Sequence, residues 1–417
     1  MTKFMTDLSE TVAALRGLFP ATPLQKNAYL SQKYGAEIYL KREDLTPVRS
    51  YKIRGAFNFV SHMLAQTSAQ TPFVCASAGN HAQGLAFVCR HFGRRAVIFM
   101  PVTTPLQKID KTRAFGGDSV DIRLTGDTFD QCYAAAQQFV AEGGGVMAPP
   151  FDSDFIINGQ ASVLYEVAQQ WPEDTAPDLI VAPVGGGGLA AGITRFVAAK
   201  GWQKKVMLAE PEGAASLHAS LRAGQRIRLE TMETFVDGAA VAQTGAINFD
   251  VLREFQPGDV IRVPENRLCG TMVDMLNVEG IVLEPAGALS IDALKSFDPA
   301  EIRNKRIVLI VSGGNFDFER LPEVKERALR YAGLKRYYVF RFPQRPGALR
   351  AFLDELGPED DVARFEYLKK SVRDFGSVLI AIETTKAENF ARLHARFAEI
   401  GWAYRDITGD QILFDWI

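Results

Sequence analysis

Cysteine and histidine are scarce in this 417-residue sequence, and neither is spaced for a metal site. The four cysteines lie far apart without C-x-x-C spacing: Cys75, Cys89, Cys132 and Cys269. This spacing argues against structural zinc and against a disulfide framework. The five histidines include no H-E-x-x-H pair, which removes support for a catalytic zinc carried on a helix. We therefore expect core thiols and no metal centre.

The sequence also lacks a long apolar run and an excess of either charge. The most apolar stretch, Leu179 to Ile193, is interrupted by a proline and four consecutive glycines and is shorter than the roughly 18 residues of a membrane span. With 47 Lys and Arg against 49 Asp and Glu, the net charge is −2, which gives no footprint for nucleic acid or for a membrane surface. The N-terminal residues carry Asp7 and Glu10 and no apolar leader, so we expect a cytoplasmic protein with a small-molecule partner.

The composition that is present is that of an ordinary globular protein. Hydrophobic residues make up 47% and charged residues 23% of the chain, whose length favours two or three domains. From about residue 20 to residue 320, short apolar strands alternate with helical stretches, a pattern typical of a mostly parallel sheet in an α/β fold. The predicted strands are Glu37 to Lys41, Phe73 to Ala76, Ala96 to Met100, Leu179 to Pro183, Val206 to Glu210 and Arg306 to Val311.

The pattern changes near residue 320. Residues 1–320 form the predicted catalytic domain, 321–334 a charged connecting helix, and 335–417 a small second domain. The second domain predicts the βαββαβ order of a ferredoxin-like sandwich. Its elements are strand Tyr337 to Phe342, helix Pro346 to Leu356, strand Val362 to Leu368, strand Ser377 to Thr384, helix Ala387 to Ile400 and strand Gln411 to Trp416.

The first segment with candidate chemistry is S-Y-K-I-R-G-A, residues 50–56. Ser50 before a helical pattern is a good N-cap, which places Lys52 in the first helical turn. There the positive end of the helix dipole opposes a cation, so we expect a depressed pKa and a neutral amine able to attack a carbonyl. Taken alone, a solvated surface lysine is the simpler interpretation of the segment.

Two glycine-containing segments follow predicted strands. S-A-G-N-H-A-Q-G, residues 77–84, could present backbone N–H groups and the Asn80 amide to a carboxylate or phosphate, or could be an ordinary turn capped by Asn80. G-G-G-G-L, residues 185–189, lets the backbone wrap around a phosphate at a helix N-terminus. The same stretch satisfies G-x-G-x-x-A with Glu210 about 20 residues later, so a nicotinamide dehydrogenase is an alternative.

Two further segments are weak signals by themselves. S-G-G-N, residues 312–315, places the hydroxyl of Ser312 at the end of a strand, where a turn is the simpler interpretation. E-P-A-G-A, residues 284–288, either contributes a carboxylate to the same crevice or simply precedes a helix that starts with proline.

Together, and in their order along the chain, these segments and Thr22-Pro23-Leu24 resemble the tryptophan-synthase-β-like, fold type II family of pyridoxal-phosphate enzymes. Among them the sequence is most similar to the threonine dehydratases, or threonine ammonia-lyases, of isoleucine biosynthesis. Tyr51 departs from the Phe that is common there. The resemblance implies a core of two open α/β subdomains and a carbon–nitrogen lyase that deaminates L-threonine, and also L-serine, to an oxo acid and ammonia.

The resemblance also implies a role for individual residues. Lys52 would hold pyridoxal phosphate covalently and act as the catalytic base. Asn80 would contact the ring hydroxyl of the cofactor, and Ser312 its ring nitrogen. The cofactor phosphate would be bound by Gly185, Gly186, Gly187, Gly188 and Leu189. The substrate carboxylate would be bordered by Ser77, Ala78, Gly79 and His81. Glu210 and residues 211–216 match a region where relatives hold a cation, although Ser216 is a poorer ligand than a carboxylate.

The C-terminal unit resembles the ACT-like regulatory domain of biosynthetic threonine dehydratases, with R-P-G-A-L at residues 345–349 in its first strand-to-helix turn. This resemblance implies feedback inhibition by isoleucine, activation by valine, and a homotetramer or homodimer. A dimerisation module without a ligand is the alternative for this domain. For the whole protein, the alternatives are a serine dehydratase, a serine racemase or a catabolic threonine dehydratase, and an amino-acid sensor without catalysis.

Overall fold

The structure is a computed structural model that describes residues 2–171, 175–203, 205–367 and 375–410. Its contacts divide the chain into two units, Met1–Asp317 and Phe318–Ile417. Within the described ranges, no helix is both long and apolar enough to cross a membrane. All four cysteines are buried, as predicted for core thiols.

The first unit alternates strands and helices. Its strands are β1 (Leu24–Lys26), β2 (Glu37–Arg42), β3 (Phe73–Ala76), β4 (Ala96–Met100), β5 (Val120–Leu124), β6 (Val146–Met147), β7 (Leu179–Pro183), β8 (Lys205–Pro211), β9 (Val260–Val263) and β10 (Arg306–Val311). Its helices are α1 (Lys3–Leu15), α2 (Ala28–Tyr34), α3 (Lys52–Met63), α4 (Asn80–His91), α5 (Leu106–Gly116), α6 (Phe129–Ala141), α7 (Asp154–Gln170), α8 (Gly188–Lys200), α9 (Ser216–Ala223), α10 (Ala246–Leu252), α11 (Glu265–Glu279), α12 (Pro285–Asp292) and α13 (Pro299–Ile302). All six predicted strands form, and only β2 and β8 are slightly longer than predicted.

These strands form two sheets, and the larger one has the order β1-β2-β10-β7-β8-β9. Its central strands pair in parallel, with Ile307 of β10 opposite Ile38 of β2 and Leu179 of β7. The smaller sheet, β5-β4-β3-β6, is parallel throughout. Strands β3, β4, β7 and β10 are almost entirely apolar and buried because helices cover both faces of a parallel sheet. The two open α/β subdomains implied by the resemblance are confirmed.

Helix α3 is held in place by a buried ion cluster around Arg54. The Arg54 guanidinium donates to both carboxylate oxygens of Glu43, at 2.7 and 2.9 Å, and to both of Glu166, each at 2.8 Å. Lys41 donates to Glu166 at 2.7 Å, and Arg16 forms an ion pair with the same carboxylate. Burial alone would raise the pKa of Glu166, but Arg54 and Lys41 hold it well below its usual range. The cluster ties the helix that begins at Lys52 to β2 and α7.

The second unit contains α14 (Leu321–Tyr331), β11 (Lys335–Pro343), α15 (Ala348–Leu353), β12 (Asp360–Tyr367), β13 (Phe375–Thr384), α16 (Asn389–Ile400) and β14 (Tyr404–Asp406). Its antiparallel sheet has the order β12-β13-β11-β14, with the helices on an aromatic core. In that core the ring of Phe340 lies 5.0 Å from that of Phe352 and 5.1 Å from that of Phe397. The predicted ferredoxin-like order is confirmed. The predicted closing strand Gln411 to Trp416 lies outside the described residues, and β14 pairs with β11 ahead of it.

Candidate active site

Lys52 is the first residue of α3, and its amine lies inside the cleft of the first unit. The side-chain nitrogen donates a hydrogen bond to the carbonyl oxygen of Pro150 at 2.9 Å. It also lies 5.5 Å from the ring centre of Tyr51 and 5.9 Å from that of Phe151. Burial lowers the pKa of Lys52 from 10.5 to about 8, while the charge of Glu284 acts in the opposite direction. The direction of the pKa shift is the predicted one, but its cause is desolvation by the surrounding protein, whereas the sequence argument relied on the helix dipole.

The start of α3 differs slightly from the prediction. Tyr51, and not Ser50, is the residue before the helix, and Ser50 Oγ accepts only a long hydrogen bond of 3.4 Å from the N–H of Lys52. The backbone N–H of Ser50 is instead bonded to Thr46 Oγ1 at 2.9 Å. The N–H of Tyr51 donates to the carbonyl oxygen of Ser312 at 3.1 Å, which brings the end of β10 beside Lys52.

The loop at residues 77–80 leads from β3 into α4. Ser77 Oγ accepts the N–H of Gly79 at 3.2 Å, and Gly79 precedes the helix that begins at Asn80. Asn80 does not cap this helix with its side chain. Its Nδ2 donates to Glu284 Oε1 at 2.7 Å, and its Oδ1 accepts from Asn315 Nδ2 at 2.7 Å. The Asn80 side chain therefore joins this loop to the E-P-A-G-A segment through Glu284 and to the S-G-G-N segment through Asn315.

His81 is buried and takes part in a backbone contact. Its Nε2 lies 2.9 Å from the carbonyl oxygen of Ala148, and because a carbonyl only accepts, Nε2 carries the hydrogen. Burial, together with the nearby charge of Lys52, lowers the pKa of His81 to about 4. A neutral imidazole bonded in this way positions the loop and is not suited to acid catalysis near neutral pH.

The four glycines at residues 185–188 form a close turn between β7 and α8. Gly187 has a φ of +94°, which favours glycine, and α8 begins at Gly188. A Cβ at Gly185 would lie 2.7 Å from the Ala239 carbonyl oxygen, so a side chain does not fit there. The first turn of a helix leaves backbone N–H groups without partners inside the helix, and these attract an anion. The loop is thus a cradle of suitable chemistry for a phosphate, followed by the buried Leu189.

Asn248 fixes this glycine loop, and sequence reasoning missed it. Its Nδ2 donates to the carbonyl oxygen of Gly186 at 2.7 Å and to that of Phe151 at 3.2 Å. The carboxylate of Asp152 accepts the N–H groups of Ala246 and Ile247 at 2.8 and 2.9 Å, which anchors the segment that carries Asn248. Because Phe151 also lies beside the Lys52 amine, this contact joins the lysine to the glycine loop.

Ser312 is buried at the end of β10, and its hydroxyl donates to the carbonyl oxygen of Ala286 at 3.2 Å.

Glu210 accepts the N–H groups of Leu217 and His218, at 2.8 and 2.9 Å, in the first turn of α9. Burial raises the pKa of Glu210 to about 8. Both oxygens of Glu210 thus already have partners, and the part of the chain described here has no group of three or more His, Cys, Asp or Glu suited to a metal.

The structure therefore brings together Lys52, the Asn80 loop, the glycine loop and Ser312 at the carboxyl ends of β3, β7 and β10. It adds Glu284 and Asn315, which belong to segments visible in the sequence, and Asn248 and Asp152, for which the sequence gives no signal. The amine, the glycine cradle and the polar groups between them fit pyridoxal phosphate. Crevices at this edge of an open α/β sheet are the usual binding place for such ligands.

The comparisons with known proteins agree with this geometry. Residues 15–313 match the family model of pyridoxal-phosphate dependent enzymes, and residues 326–417 match the C-terminal regulatory domain of threonine dehydratase. The biosynthetic L-threonine dehydratase of Staphylococcus saprophyticus is 43% identical over 98% of this chain and 97% of its own length. The processed threonine deaminase isoform 2 of Solanum lycopersicum superposes with a TM-score of 0.71 at 35% identity, covering 79% of this chain and 94% of its own. Maize serine racemase gives 0.69 at 27% identity, covering 78% and 98%.

Proposed function

The chain belongs to the family of pyridoxal-phosphate dependent enzymes, and from this premise we propose that it converts L-threonine to 2-oxobutanoate and ammonia. It is a lyase of the threonine dehydratase type. The observation that carries the proposal is the 43% identity to a biosynthetic threonine dehydratase over 98% of the chain, together with a matching regulatory domain. The reaction would serve the first step of isoleucine biosynthesis.

The cofactor and the protein would divide the chemistry. When bound, pyridoxal phosphate supplies an aldehyde that takes up the substrate amine and a conjugated ring that withdraws electrons from the substrate Cα. Lys52 would hold the cofactor covalently through its amine before substrate arrives. The lowered pKa of about 8 supports this role, because only the neutral amine attacks a carbonyl.

Lys52 would then act as the base. With the cofactor bound, the free amine of Lys52 would remove the Cα proton of threonine. The Cβ hydroxyl would leave as water, and the proton taken from Cα balances the one that this water carries away. Hydrolysis of the enamine product would give 2-oxobutanoate and ammonia. The contact of the amine with the Pro150 carbonyl oxygen supports a fixed position for this nitrogen.

The remaining cleft residues would bind and orient. Gly185, Gly186, Gly187, Gly188 and Leu189 would hold the cofactor phosphate at the N-terminus of α8, a helix of 13 residues. Ser77, Ala78, Gly79 and His81 would border the substrate carboxylate, Asn80 the ring hydroxyl and Ser312 the ring nitrogen. A neutral serine hydroxyl at the ring nitrogen would leave the ring uncharged, which favours prompt loss of the β-hydroxyl over transamination.

The second unit offers a cavity suited to an apolar amino acid. The cavity is about 920 Å³ and lies around the turn after β11. Its lining combines apolar side chains with charges of both signs, including Phe342, Leu349, Leu353, Phe365, Tyr367, Arg345, Arg350 and Asp354. An arginine suits the carboxylate, an aspartate the ammonium and the apolar side chains the hydrocarbon of isoleucine. We propose isoleucine as feedback inhibitor and valine as the opposing effector.

A serine dehydratase or serine racemase is the alternative within the family, and the likeness to maize serine racemase is the observation that keeps it open. The higher identity to threonine dehydratases and the regulatory domain favour threonine. A dehydrogenase leaves Lys52 and Asn80 without a role. A homotetramer or homodimer, a cytoplasmic location and a cation at Glu210 stay predictions.

Product analysis tests the proposal. The purified protein is incubated with threonine or with serine, and the 2-oxobutanoate, pyruvate and D-serine formed are measured, with and without isoleucine. We expect 2-oxobutanoate from threonine as the faster reaction, and inhibition by isoleucine. Formation of D-serine as the main product, or no oxo acid from threonine, would refute the assignment.

A further inference from the structure

The side-chain amide of Asn80 is held at both of its ends. Its Nδ2 donates to Glu284 Oε1 and its Oδ1 accepts from Asn315 Nδ2, each at 2.7 Å. Exchanging the nitrogen and oxygen of Asn80 would set two donors against each other on one side and two acceptors on the other. Only one orientation of this amide therefore satisfies both neighbours.

The orientation of Asn315 is fixed in turn by the backbone. Its Nδ2 also donates to the carbonyl oxygen of Val48 at 2.7 Å, and a carbonyl oxygen can only accept. The amide of Asn315 therefore cannot turn over without losing this bond. The backbone N–H of Asn315 also contacts the Glu284 carboxyl, so the three side chains form one connected group.

Counting the hydrogens of the Asn80 amide shows how many of its N–H donors are still available for a ligand. An amide nitrogen carries two hydrogens, and its oxygen is a good acceptor. In this arrangement Glu284 takes one hydrogen and Asn315 occupies the oxygen. The second N–H of Asn80 is used by neither of these neighbours, and the carbonyl oxygen faces Asn315.

On the basis of the proposed function, we infer that Asn315 and Glu284 are positioning residues that make Asn80 present an N–H, and not its carbonyl, to the ring oxygen of pyridoxal phosphate. An N–H donor stabilises the ionised ring oxygen, whereas a carbonyl would favour the protonated hydroxyl. The two forms of the bound cofactor absorb in the visible and in the near ultraviolet, respectively. The pair of residues thus sets the ionisation of the cofactor through Asn80.

The test is the ratio of visible to near-ultraviolet absorbance of the holoenzyme at one fixed pH. In Asn315→Asp the new carboxylate can accept from Asn80 but cannot donate to it, so the present orientation loses its bond at Oδ1 and the Asn80 amide is no longer held in one orientation. We expect the ratio to fall about fivefold, which corresponds to the loss of about one hydrogen bond. Asn315→Ala, which removes the donor without adding a charge, should lower the ratio in the same direction.

Glu284 gives the complementary pair of variants. Glu284→Gln keeps a carbonyl that accepts from Asn80, so the ratio should stay at the wild-type value. Glu284→Met removes the acceptor, and the ratio should fall. Asn277→Asp and Glu254→Gln change exposed residues elsewhere and serve as matched controls. Circular dichroism and equilibrium dialysis with pyridoxal phosphate identify folded, loaded variants for comparison.

The inference is overturned if folded, loaded Asn315→Asp and Asn315→Ala both keep the wild-type ratio. It is also overturned if Glu284→Gln lowers the ratio as far as Glu284→Met, since charge and not acceptor geometry would then matter. A wild-type protein that takes up no pyridoxal phosphate would instead refute the proposed function.

Discussion

The side-chain nitrogen of Lys52 donates a hydrogen bond to the carbonyl oxygen of Pro150 across a distance of 2.9 Å. Pro150 directly precedes Phe151, whose carbonyl oxygen accepts from Asn248 beneath the glycine loop. One short piece of backbone therefore places both the amine and the phosphate cradle.

The lowered pKa of Lys52 predicts the pH dependence of cofactor uptake. Burial lowers this pKa to about 8 from an ordinary value of 10.5, so the amine loses its proton at a lower pH than a free lysine does. The rate at which the apoprotein captures pyridoxal phosphate should therefore rise with pH, with a midpoint near 8. Stopped-flow absorbance measures this rate. The same measurement with N-acetyl-lysine, whose amine has an ordinary pKa, is the control for ionisation of the cofactor itself. A midpoint near that of the control would contradict the prediction.

Asn248 should matter for cofactor affinity although it lies behind the loop. Asn248→Ala removes the hydrogen bonds to the carbonyl oxygens of Gly186 and Phe151. The loss of about 1 to 1.5 kcal/mol of loop stabilisation should raise the dissociation constant of pyridoxal phosphate roughly tenfold. Equilibrium dialysis measures the constant, and Asn277→Ala, at an exposed position, is the control. An unchanged constant would show that the loop holds its shape without Asn248.

Arg54 should carry a large share of the stability of the first unit. Arg54→Met leaves the buried carboxylates of Glu43 and Glu166 without their bidentate partner. Breaking a buried ion pair in this way costs about 3 to 5 kcal/mol. Urea denaturation measures the change, and Arg54→Lys, which keeps the charge but loses the second hydrogen bonds, should be intermediate.

The control for Arg54 is an exposed ion pair. Arg113 lies 3.4 Å from Asp110, and both side chains are more than half exposed. Arg113→Met should change stability by less than about 1 kcal/mol, because solvent screens the pair. Equal losses in Arg54→Met and Arg113→Met would show that burial of the Arg54 cluster does not determine its contribution.

The cavity of the second unit can be tested at an exposed residue. Leu349 is 41% exposed and lines the cavity, so Leu349→Asp should leave the fold intact while placing a charge where the isoleucine side chain would lie. The isoleucine concentration for half inhibition should rise about tenfold or more, the effect of about 1.4 kcal/mol. Activity without isoleucine should be unchanged.

Ile400→Asp is the matched control for the cavity. Ile400 is 51% exposed at the end of α16 and is not part of the cavity lining. This variant should keep normal inhibition by isoleucine. If Leu349→Asp also keeps normal inhibition, the effector does not bind in this cavity.

The strands and the order of elements could be predicted from the sequence, because buried parallel strands are continuous apolar runs bounded by glycine or polar residues. The division into two sheets could not be predicted from that pattern, since pairing between β10 and β2 joins residues far apart in the chain. The start of α3 was predicted one residue early, because a bridge between Ser50 and Gly313 takes Ser50 out of the capping position.

The candidate site shows the same limit. Segments that contain their own signal, such as the glycines at residues 185–188, could be found by reading the sequence. Asn248 could not be found, because it lies in the unremarkable segment A-I-N-F and meets Gly186 only through the folded chain. Likewise, the sequence gives no signal that the Glu210 carboxylate accepts two backbone N–H groups in the first turn of α9. Tertiary hydrogen bonds of this kind leave no local pattern in the sequence.

Reductive labelling tests the central claim most directly. The holoenzyme is treated with borohydride, digested, and mapped by mass spectrometry, with Lys52→Ala as the negative control and Lys200→Ala, at an exposed lysine, as the matched one. We predict a pyridoxyl group on Lys52 in the wild type and in Lys200→Ala, and no labelled peptide in Lys52→Ala. A label on another lysine, or the same label after Lys52 has been removed, would contradict the account.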